Sequence, residues 1–215
     1  MLMVSSFELV LNKETGIYTI IPEKDNPCPL CGGALKYRNR RIRSVRSIVG
    51  EKSRYLLRRL WCASCRKLHT EFPDTIQPYK HYDTDTIQHA IDDSEEALVI
   101  DADDTTIRRW RKEYADSQAE IEQELASVYA RETGATVPIH AASRLLPYIR
   151  TSIRRWLAYV TRLLINSGHR VRTRFAFCPA PPAAKMGLED TIQDKGGKQH
   201  DQTIEGGTRG GDGTV

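Results

Sequence analysis

The sequence lacks the cysteine framework of a disulfide-stabilised secreted domain. It has five cysteines in 215 residues. Four of them form two Cys-x-x-Cys pairs, and the fifth, Cys178, has no partner at that spacing. No charged-then-apolar leader follows Met1. Because cysteines that are not paired in disulfides are typical of a reducing compartment, we expect a cytoplasmic protein.

A charge-free apolar run long enough to cross a bilayer is also missing. The longest apolar stretch extends from Leu145 to Ile165. It contains arginines that the middle of a membrane would disfavour, namely Arg150, Arg154, Arg155 and Arg162. We therefore expect no membrane-spanning segment and no membrane partner.

The usual signatures of enzymes are absent as well. The sequence has no glycine-rich phosphate loop, no nucleophile with a placed base and no His–Glu metal pair. The clustered carboxylates Asp101, Asp103 and Asp104 precede a predicted helix, where a linker and a cap explain them. A two-metal nuclease would need a separate fold for which the chain has no room. We predict no catalytic residues and no small-molecule substrate.

The cysteine pairs are the most informative feature that is present. Residues 28–33 read Cys-Pro-Leu-Cys-Gly-Gly and residues 62–65 read Cys-Ala-Ser-Cys. Two such turns bring four thiolates to one tetrahedral ion, and the glycines let the chain reverse after the first pair. Two strand-like runs occupy the gap between the pairs. The prediction is a zinc ribbon whose structural zinc is bound by Cys28, Cys31, Cys62 and Cys65.

Three alternatives to zinc remain open for these thiols. They are unrelated buried thiols, a disulfide, or iron held by the same four sulfurs. A basic surrounding suits a polyanion better than a redox partner, which disfavours iron. His69 follows the second pair. Since four thiolates fill the shell, we expect His69 on the surface or beside the ligands rather than on the metal.

Charge is distributed in blocks. Residues 28–80 contain 13 Lys/Arg and 3 Asp/Glu, residues 81–140 contain 5 and 15, and residues 141–185 contain 9 and 0. A compact basic segment attracts the phosphate backbone of nucleic acids. The alternative is that the blocks neutralise one another in the folded chain.

Arginines dominate the two runs between the cysteine pairs, residues 35–48 and 54–61. The planar guanidinium binds phosphate better than the point charge of lysine does. Interleaved aromatics could stack on bases, although Trp61, next to a metal ligand, is better explained as core. The predicted nucleic-acid contacts in this segment are Arg40, Arg41, Arg43, Arg58 and Arg59.

Residues 83–116 predict a helix-turn-helix. After a β-hairpin over residues 1–22 and the zinc ribbon over residues 23–80, the apolar period changes to that of helices at Asp83. Three short helices are expected, beginning near Asp83, Ser94 and Asp103. In the third, one side is an apolar stripe and the other has the composition of a recognition helix or of an ordinary solvated face. Its predicted DNA contacts are Thr105, Arg108, Arg109 and Lys112.

Residues 117–177 are predicted to be helical and residues 178–215, rich in glycine and proline, to be a disordered tail. The apolar stripe of residues 145–164 must be covered by the preceding helices or by a second copy of the chain, which would give a homodimer. The expected fold class is therefore α+β, with a small N-terminal β zinc ribbon followed by a helix-turn-helix and a helical bundle.

The order of these motifs resembles the amino-terminal half of bacterial insertion-sequence transposases, in which a Cys-x-x-Cys ribbon precedes a helix-turn-helix. The stretches 28–33, 58–65, 69–82 and 106–110 more closely resemble a bacterial domain family of unknown function that is often found near mobile elements. The resemblance covers about residues 28–174 and implies a zinc-dependent DNA-binding module. It supplies no catalytic residues.

These inferences predict a zinc-dependent DNA-binding protein, related to transposases but without a catalytic domain. The alternative is a zinc-ribbon adaptor that binds another protein instead of nucleic acid. The acidic block of residues 83–132 would suit a basic protein partner.

Overall fold

The computed structural model describes residues 1–92, 100–133 and 139–169. These residues all fall within one compact unit, Met1–Phe175. The strands are β1 (Leu2–Val4), β2 (Phe7–Asn12), β3 (Ile17–Pro22), β4 (Leu35–Arg46), β5 (Lys52–Cys62) and β6 (Lys67–Pro73). The helices are α1 (Thr84–Asp92), α2 (Asp104–Thr133), α3 (Ile139–Ser152) and α4 (Trp156–Asn166).

Strand β5 is the centre of a curled, mixed sheet of six strands. Strand β4 pairs antiparallel with the whole of β5 along one edge. The other edge of β5 is shared, because β3 pairs with Arg54–Leu56 in parallel and β6 pairs with Arg59–Cys62 antiparallel. Strand β2 then extends the sheet beyond β3, and β1 extends it beyond β6.

Two turns explain how neighbouring strands reverse. Gly16 has a φ of +63° between β2 and β3, and Gly50 has a φ of +80° between β4 and β5. Residues other than glycine rarely adopt these angles. A Cβ added at Gly50 would also collide with the side chain of Asp101, which lies just before α2. The turn after β4 is therefore packed closely against the segment that leads into α2.

Two hydrophobic cores hold the sheet and the helices. The helical core contains Ile87, Ala90, Ile100, Trp110, Leu125, Val128, Leu146, Ile149, Trp156, Leu157, Val160 and Leu164. The sheet core contains Met3, Val4, Ile20, Val45, Leu57, Phe72, Ile76 and Ile165. Helix α4 contributes to both cores. Each large apolar side chain buried in this way stabilises the fold by about 1.5–3 kcal/mol relative to exposure.

The expected fold class was wrong. The structure is a six-stranded mixed sheet with four described helices, and it is not a small ribbon followed by a helix-turn-helix and a helical bundle. The segment read as a recognition helix is only the beginning of α2, which runs for 30 residues. Residues 104–133 contain no glycine or proline, so no local signal ends the helix near residue 116. The second short helix expected from Ser94 lies outside the described residues.

The ribbon strands also differ from the expectation of a separate small module. Strand β3, from the N-terminal hairpin, pairs with β5, which lies between the cysteine pairs. Strand β1 joins the sheet through β6. The pairing of β3 with β5 is parallel and joins segments far apart in the chain, so nothing in the local pattern indicates it.

The apolar C-terminal segment forms two helices, α3 and α4, with a break at residues 153–155. Pro147 lies inside α3. The apolar side of α4 is buried within the same chain, where α4 contacts α1, α2 and β1. A homodimer through residues 145–164 therefore stays a prediction. The disordered tail predicted for residues 178–215 lies outside the described residues.

In the described part of the chain, no helix is both long enough and apolar enough to cross a membrane.

Candidate metal centre

The sheet brings the two cysteine pairs together at one end. The first knuckle, residues 28–33, precedes β4, and the second knuckle, residues 62–66, connects β5 with β6. The register pairs Leu35 with Cys62, which places the start of β4 beside the end of β5. As predicted, the four cysteines converge, and their Sγ atoms all lie within 4.8 Å of one another.

The distances between the sulfurs suit one tetrahedral ion. Sγ of Cys28 lies 3.6 Å from Sγ of Cys65, and Sγ of Cys31 lies 3.5 Å from Sγ of Cys62. Four sulfurs at about 2.3 Å from a central zinc would be about 3.8 Å apart, whereas a disulfide requires about 2.05 Å. The four thiols are free. They could therefore hold one metal ion, and neither pair is bonded as a disulfide.

Each knuckle turns in a left-handed conformation directly after its second cysteine. Gly32 has a φ of +70° and Arg66 has a φ of +54°. In the first knuckle the N–H of Gly32 donates to the carbonyl of Cys28 at 2.8 Å, and the N–H of Cys28 donates to the carbonyl of Gly33 at 2.9 Å. Sequence reasoning found the glycine but missed Arg66, because an arginine gives no sign of a positive φ.

We expect Gly33→Ala to weaken metal binding. A Cβ at this position would lie 2.7 Å from Oγ and 3.2 Å from Cβ of Ser64 and 3.3 Å from Sγ of Cys31, so the Ser64 hydroxyl would have to rotate and the two knuckles would have to shift slightly apart. Crowding of this kind costs about 1–3 kcal/mol. Competition with a chromogenic chelator measures the loss. Gly33→Ala combined with Ser64→Gly is the matched control and should recover most of the affinity; equal affinities of wild type and Gly33→Ala would contradict the close approach.

Backbone amides and burial act on the thiols in opposite directions. The backbone N–H of Cys65 lowers the pKa of the Cys62 thiol to about 6. Burial raises the pKa of the Cys65 thiol to about 12. Four adjacent thiols cannot all ionise without a compensating positive charge, and a bound dication supplies it and releases the protons.

His69 is buried beside the first knuckle rather than on the surface, with 1% of its area exposed. Its Nε2 lies 3.4 Å from Sγ of Cys28. Its Nδ1 lies 3.2 Å from the main-chain nitrogen and 3.4 Å from the carbonyl oxygen of Met1. Burial lowers the pKa of His69 below its usual value of 6.5, which favours the neutral ring.

Of the predicted nucleic-acid contacts on β4, Arg40 and Arg41 are exposed. Arg43 is half-buried and donates from its guanidinium to the carbonyl of Lys80. Its role is therefore partly structural, because it fixes the segment that connects the sheet to α1.

Arg58 and Arg59 on β5 are both half-buried. Arg58 donates two hydrogen bonds to the carboxylate of Glu71 on β6, from Nε at 2.7 Å and from a terminal nitrogen at 3.0 Å. A terminal nitrogen of Arg58 also lies 3.2 Å from Asp25. Because Glu71 is buried, with its side chain 2% exposed, Arg58 is the counter-ion of an interior carboxylate.

The contacts predicted on α2 lie within its first three turns, and all four residues are exposed. Asp103 caps the helix by accepting the N–H of Thr106 at 2.8 Å. Thr105 donates to the same carboxylate, and these bonds lower the pKa of Asp103 to about 2. Arg109 donates to Oγ1 of Thr106 at 3.4 Å, and Lys112 pairs with Asp116 at 3.4 Å. Arg108 completes the set.

An aromatic link between the sheet and α2 was not foreseen. The guanidinium of Arg46 lies 5.9 Å from the ring centre of Tyr82, and Tyr82 packs edge-on against Trp110 at 5.0 Å. Arg46 and Tyr82 also pair through an isolated parallel β-bridge, outside the named strand pairs. Such a bridge has no signature in the sequence.

Comparison with known proteins gives one result. No curated protein and no solved structure matches the chain. The resemblance to the DNA-binding half of transposases is thus not confirmed. One family matches residues 28–110, a segment that contains both knuckles, strands β4 to β6, helix α1 and the start of α2. Over these residues the chain is similar to the family described as Domain of unknown function (DUF6431).

Proposed function

We propose that this is a zinc-dependent DNA-binding protein in which the zinc is structural and strand β4 contacts the phosphate backbone. The observation that carries the proposal is the row of exposed cations on one strand. Lys36, Arg38, Arg40 and Arg41 are all exposed. No aspartate or glutamate occurs anywhere in β4, Leu35–Arg46. Exposed positive charge that no carboxylate of the same strand offsets attracts nucleic acid at a rate and affinity that fall with salt.

The position of β4 in the sheet supports the same role. Among the described strands, β4 pairs with β5 alone, so its outer edge is open except at Arg46, where an isolated bridge to Tyr82 covers it. A β-bulge interrupts the ladder between Tyr37 and Asn39, and Arg38 is the extra residue. Bulges twist a strand and redirect its side chains, which prevents an exposed edge from pairing with other strands. The cationic side chains thereby remain accessible.

Aromatic rings accompany two of these cations. The guanidinium of Arg40 lies 5.8 Å from the ring centre of Tyr37, which is 57% exposed. The guanidinium of Arg38 lies 5.5 Å from the ring centre of Trp61. Alternating arginine and aromatic side chains are a common surface for single-stranded and unstacked bases. Guanidinium groups that already lie over a ring also lose less conformational freedom when they bind phosphate.

Zinc is the metal that fits this role best. It has no redox chemistry and prefers four thiolates in a closed structural site. The ion would fix the pairing of Leu35 with Cys62, where the basic strand begins. We assign the protein no catalytic residues. Of the motifs that resemble transposases, only the two cysteine pairs support this proposal. We therefore propose a relation to mobile elements from these pairs alone.

The proposal is tested by Arg40→Ala combined with Arg41→Ala. Each lost phosphate contact should reduce the slope of log affinity against log salt by about 1, so the double variant should lower it by about 2. Fluorescence anisotropy with a random-sequence duplex, from low to physiological salt, measures both affinity and slope. The loss should be similar for all sequences, because phosphate contacts do not read bases.

Lys13→Ala combined with Lys24→Ala is the matched control, since these two exposed lysines lie outside β4 and their loss removes the same charge. It should change the slope little. A wild-type protein that shows no salt-dependent affinity for duplex or single-stranded DNA would overturn the proposal. Equal effects of the two double variants would show that net charge, and not β4, is responsible.

An adaptor function is favoured by a different observation. Strand β2 is an edge strand of the described sheet. Its Leu9, Val10 and Leu11, with Ile21 on β3, are each between 42% and 47% exposed. An apolar open edge can add a strand from another protein. A Val10→Lys variant separates the two functions, because it should abolish copurification of a protein partner and leave DNA affinity unchanged.

A further inference from the structure

The metal centre has a fifth donor close to it that four-thiolate coordination does not use. His69 lies on β6, where it is paired with Leu60 of β5. The side chain is fixed in the interior, with 1% of its area exposed. Its Nε2 atom lies 3.4 Å from Sγ of Cys28. A buried imidazole in contact with a ligand sulfur is in a position to act on the metal.

The distance of 3.4 Å between Nε2 of His69 and Sγ of Cys28 is compatible with two kinds of interaction. It suits an N–H···S hydrogen bond, in which His69 donates to the thiolate of Cys28. It also resembles the separation of about 3.5 Å between a nitrogen and a sulfur that bind the same tetrahedral zinc, given bonds of about 2.0 and 2.3 Å. Nε2 is not among the donor atoms that lie within 4.8 Å of one another, so it becomes a ligand by moving towards the centre, into the place that Sγ of Cys28 occupies.

The surroundings of the other ring nitrogen permit both states. Nδ1 faces the main-chain nitrogen of Met1 at 3.2 Å, which donates, and the carbonyl oxygen of Met1 at 3.4 Å, which accepts. With the proton on Nε2, Nδ1 accepts from the nitrogen of Met1 while Nε2 donates to Cys28. With the proton on Nδ1, that nitrogen donates to the carbonyl and the lone pair of Nε2 is free. Metal-binding histidines are usually oriented by such a backbone carbonyl.

We propose that His69 is a reserve ligand of the metal centre. While Cys28 is present, His69 donates a hydrogen bond to its thiolate. When that thiolate is removed, Nε2 of His69 binds the ion, and the site changes from four thiolates to three thiolates and one imidazole. This inference deepens the metal centre of the proposed function and rests on it. Three-thiolate, one-imidazole sites are as suitable for zinc as four-thiolate sites are.

Cys28 is the ligand that His69 can replace because it is the cysteine that His69 contacts. Cys65 also contacts Cys28, with the two Sγ atoms 3.6 Å apart, and belongs to the second knuckle. Loss of either thiolate removes one ligand from the same ion. The pair Cys28→Ala and Cys65→Ala thus isolates the contribution of His69.

Titration with Co²⁺, which gives thiolate charge-transfer bands, tests the proposal in the full-length chain. Cys28→Ala should bind Co²⁺ at least about tenfold more tightly than Cys65→Ala, the size of effect known for groups adjacent to metal ligands. Its charge-transfer absorbance should be about three quarters of the wild-type value, in proportion to the thiolates that remain. Cys28→Ala combined with His69→Phe should lose the tenfold advantage, because the ring volume stays and both nitrogens are removed.

A second measurement identifies the bond directly. In ¹¹³Cd-loaded Cys28→Ala with ¹⁵N-labelled histidine, one imidazole nitrogen, Nε2 of His69, should show coupling to the metal. The proposal is overturned if Cys28→Ala binds no more tightly than Cys65→Ala, or if its affinity does not depend on His69. If the wild-type protein nevertheless gives a four-thiolate Co²⁺ spectrum, the proposed metal centre is supported and only the reserve ligand is rejected. A wild type without that spectrum would overturn both the centre and the reserve ligand.

Discussion

Removal of the metal is expected to unfold the knuckle end of the sheet and to leave the helical core folded. Structural zinc sites contribute roughly 10–16 kcal/mol of apparent binding free energy, which becomes folding free energy for the segments that the ion holds. Neither hydrophobic core of the described residues includes any of the four cysteines. Once the ion is gone, adjacent thiols replace a closed coordination shell, and the hydrophobic residues buried at this end, Cys28, Leu60 and Cys62, belong to neither core.

Hydrogen exchange followed by mass spectrometry measures this outcome. A zinc chelator should abolish protection in residues 28–37 and 60–69, whereas peptides from α2 and α4 should keep most of theirs. Cys31→Ser should give the same pattern without a chelator. Ala63→Ser, which changes an exposed residue of the second knuckle but removes no thiol, should behave as wild type. Unchanged protection of both knuckles after complete metal removal would contradict the structural role of the ion.

A second large effect is expected from Arg58→Ala. The substitution leaves the carboxylate of Glu71 buried without its two hydrogen bonds from the guanidinium. Breaking one side of a buried ion pair typically costs about 3–5 kcal/mol. The side chain of Arg58 is 25% exposed, so solvent screens part of the charge and the lower end of that range is expected. Chemical denaturation of the metal-bound protein measures the loss.

Two controls separate this structural role from nucleic-acid binding. Asp25→Ala removes the other carboxylate near Arg58, which is 91% exposed, and should cost less than about 1 kcal/mol. Arg58→Leu combined with Glu71→Leu should recover most of the lost stability, since an apolar pair needs no counter-ion. DNA affinity should fall in Arg58→Ala only by the unfolded fraction. A stable Arg58→Ala that binds DNA weakly would instead assign Arg58 to the nucleic-acid surface.

The convergence of the four cysteines was predictable because the chemistry is local. Each Cys-x-x-Cys turn holds two sulfurs within a few residues, and the pairing of two such turns needs only that the chain returns. The N-cap of α2 was also predictable, because the carboxylate of Asp103 accepts a hydrogen bond from the backbone N–H of Thr106, three residues ahead. These features depend on neighbours in sequence, and a pattern of residue types records them.

The helix-turn-helix was predicted from helix caps, apolar period and spacing, and these do not define where the third helix ends. A cap at Asp103 indicates where a helix begins but gives no information about where it ends. Residues 104–133 contain neither glycine nor proline, so the predicted third helix and the polar helical stretch after it form one helix, α2. Because no stop signal follows its cap, the third helix is not the short recognition helix of a helix-turn-helix.

The sheet and the buried polar contacts depend on long-range pairing and could not be read from the sequence. The parallel register of Ile17 with Arg54 joins two segments that share no motif. The register of β5 with β6 places Arg58 near Glu71, and it sets His69 beside the ligands. In the sequence the arginine belongs to a basic run and the histidine is an isolated polar residue.

The central claim is that four thiolates bind one structural zinc ion. Metal analysis of the purified protein together with X-ray absorption at the zinc edge tests it most directly. We expect one zinc per chain, surrounded by four sulfurs at about 2.3 Å. Protein that folds with no bound metal, or zinc whose neighbours are mostly oxygen and nitrogen, would contradict it.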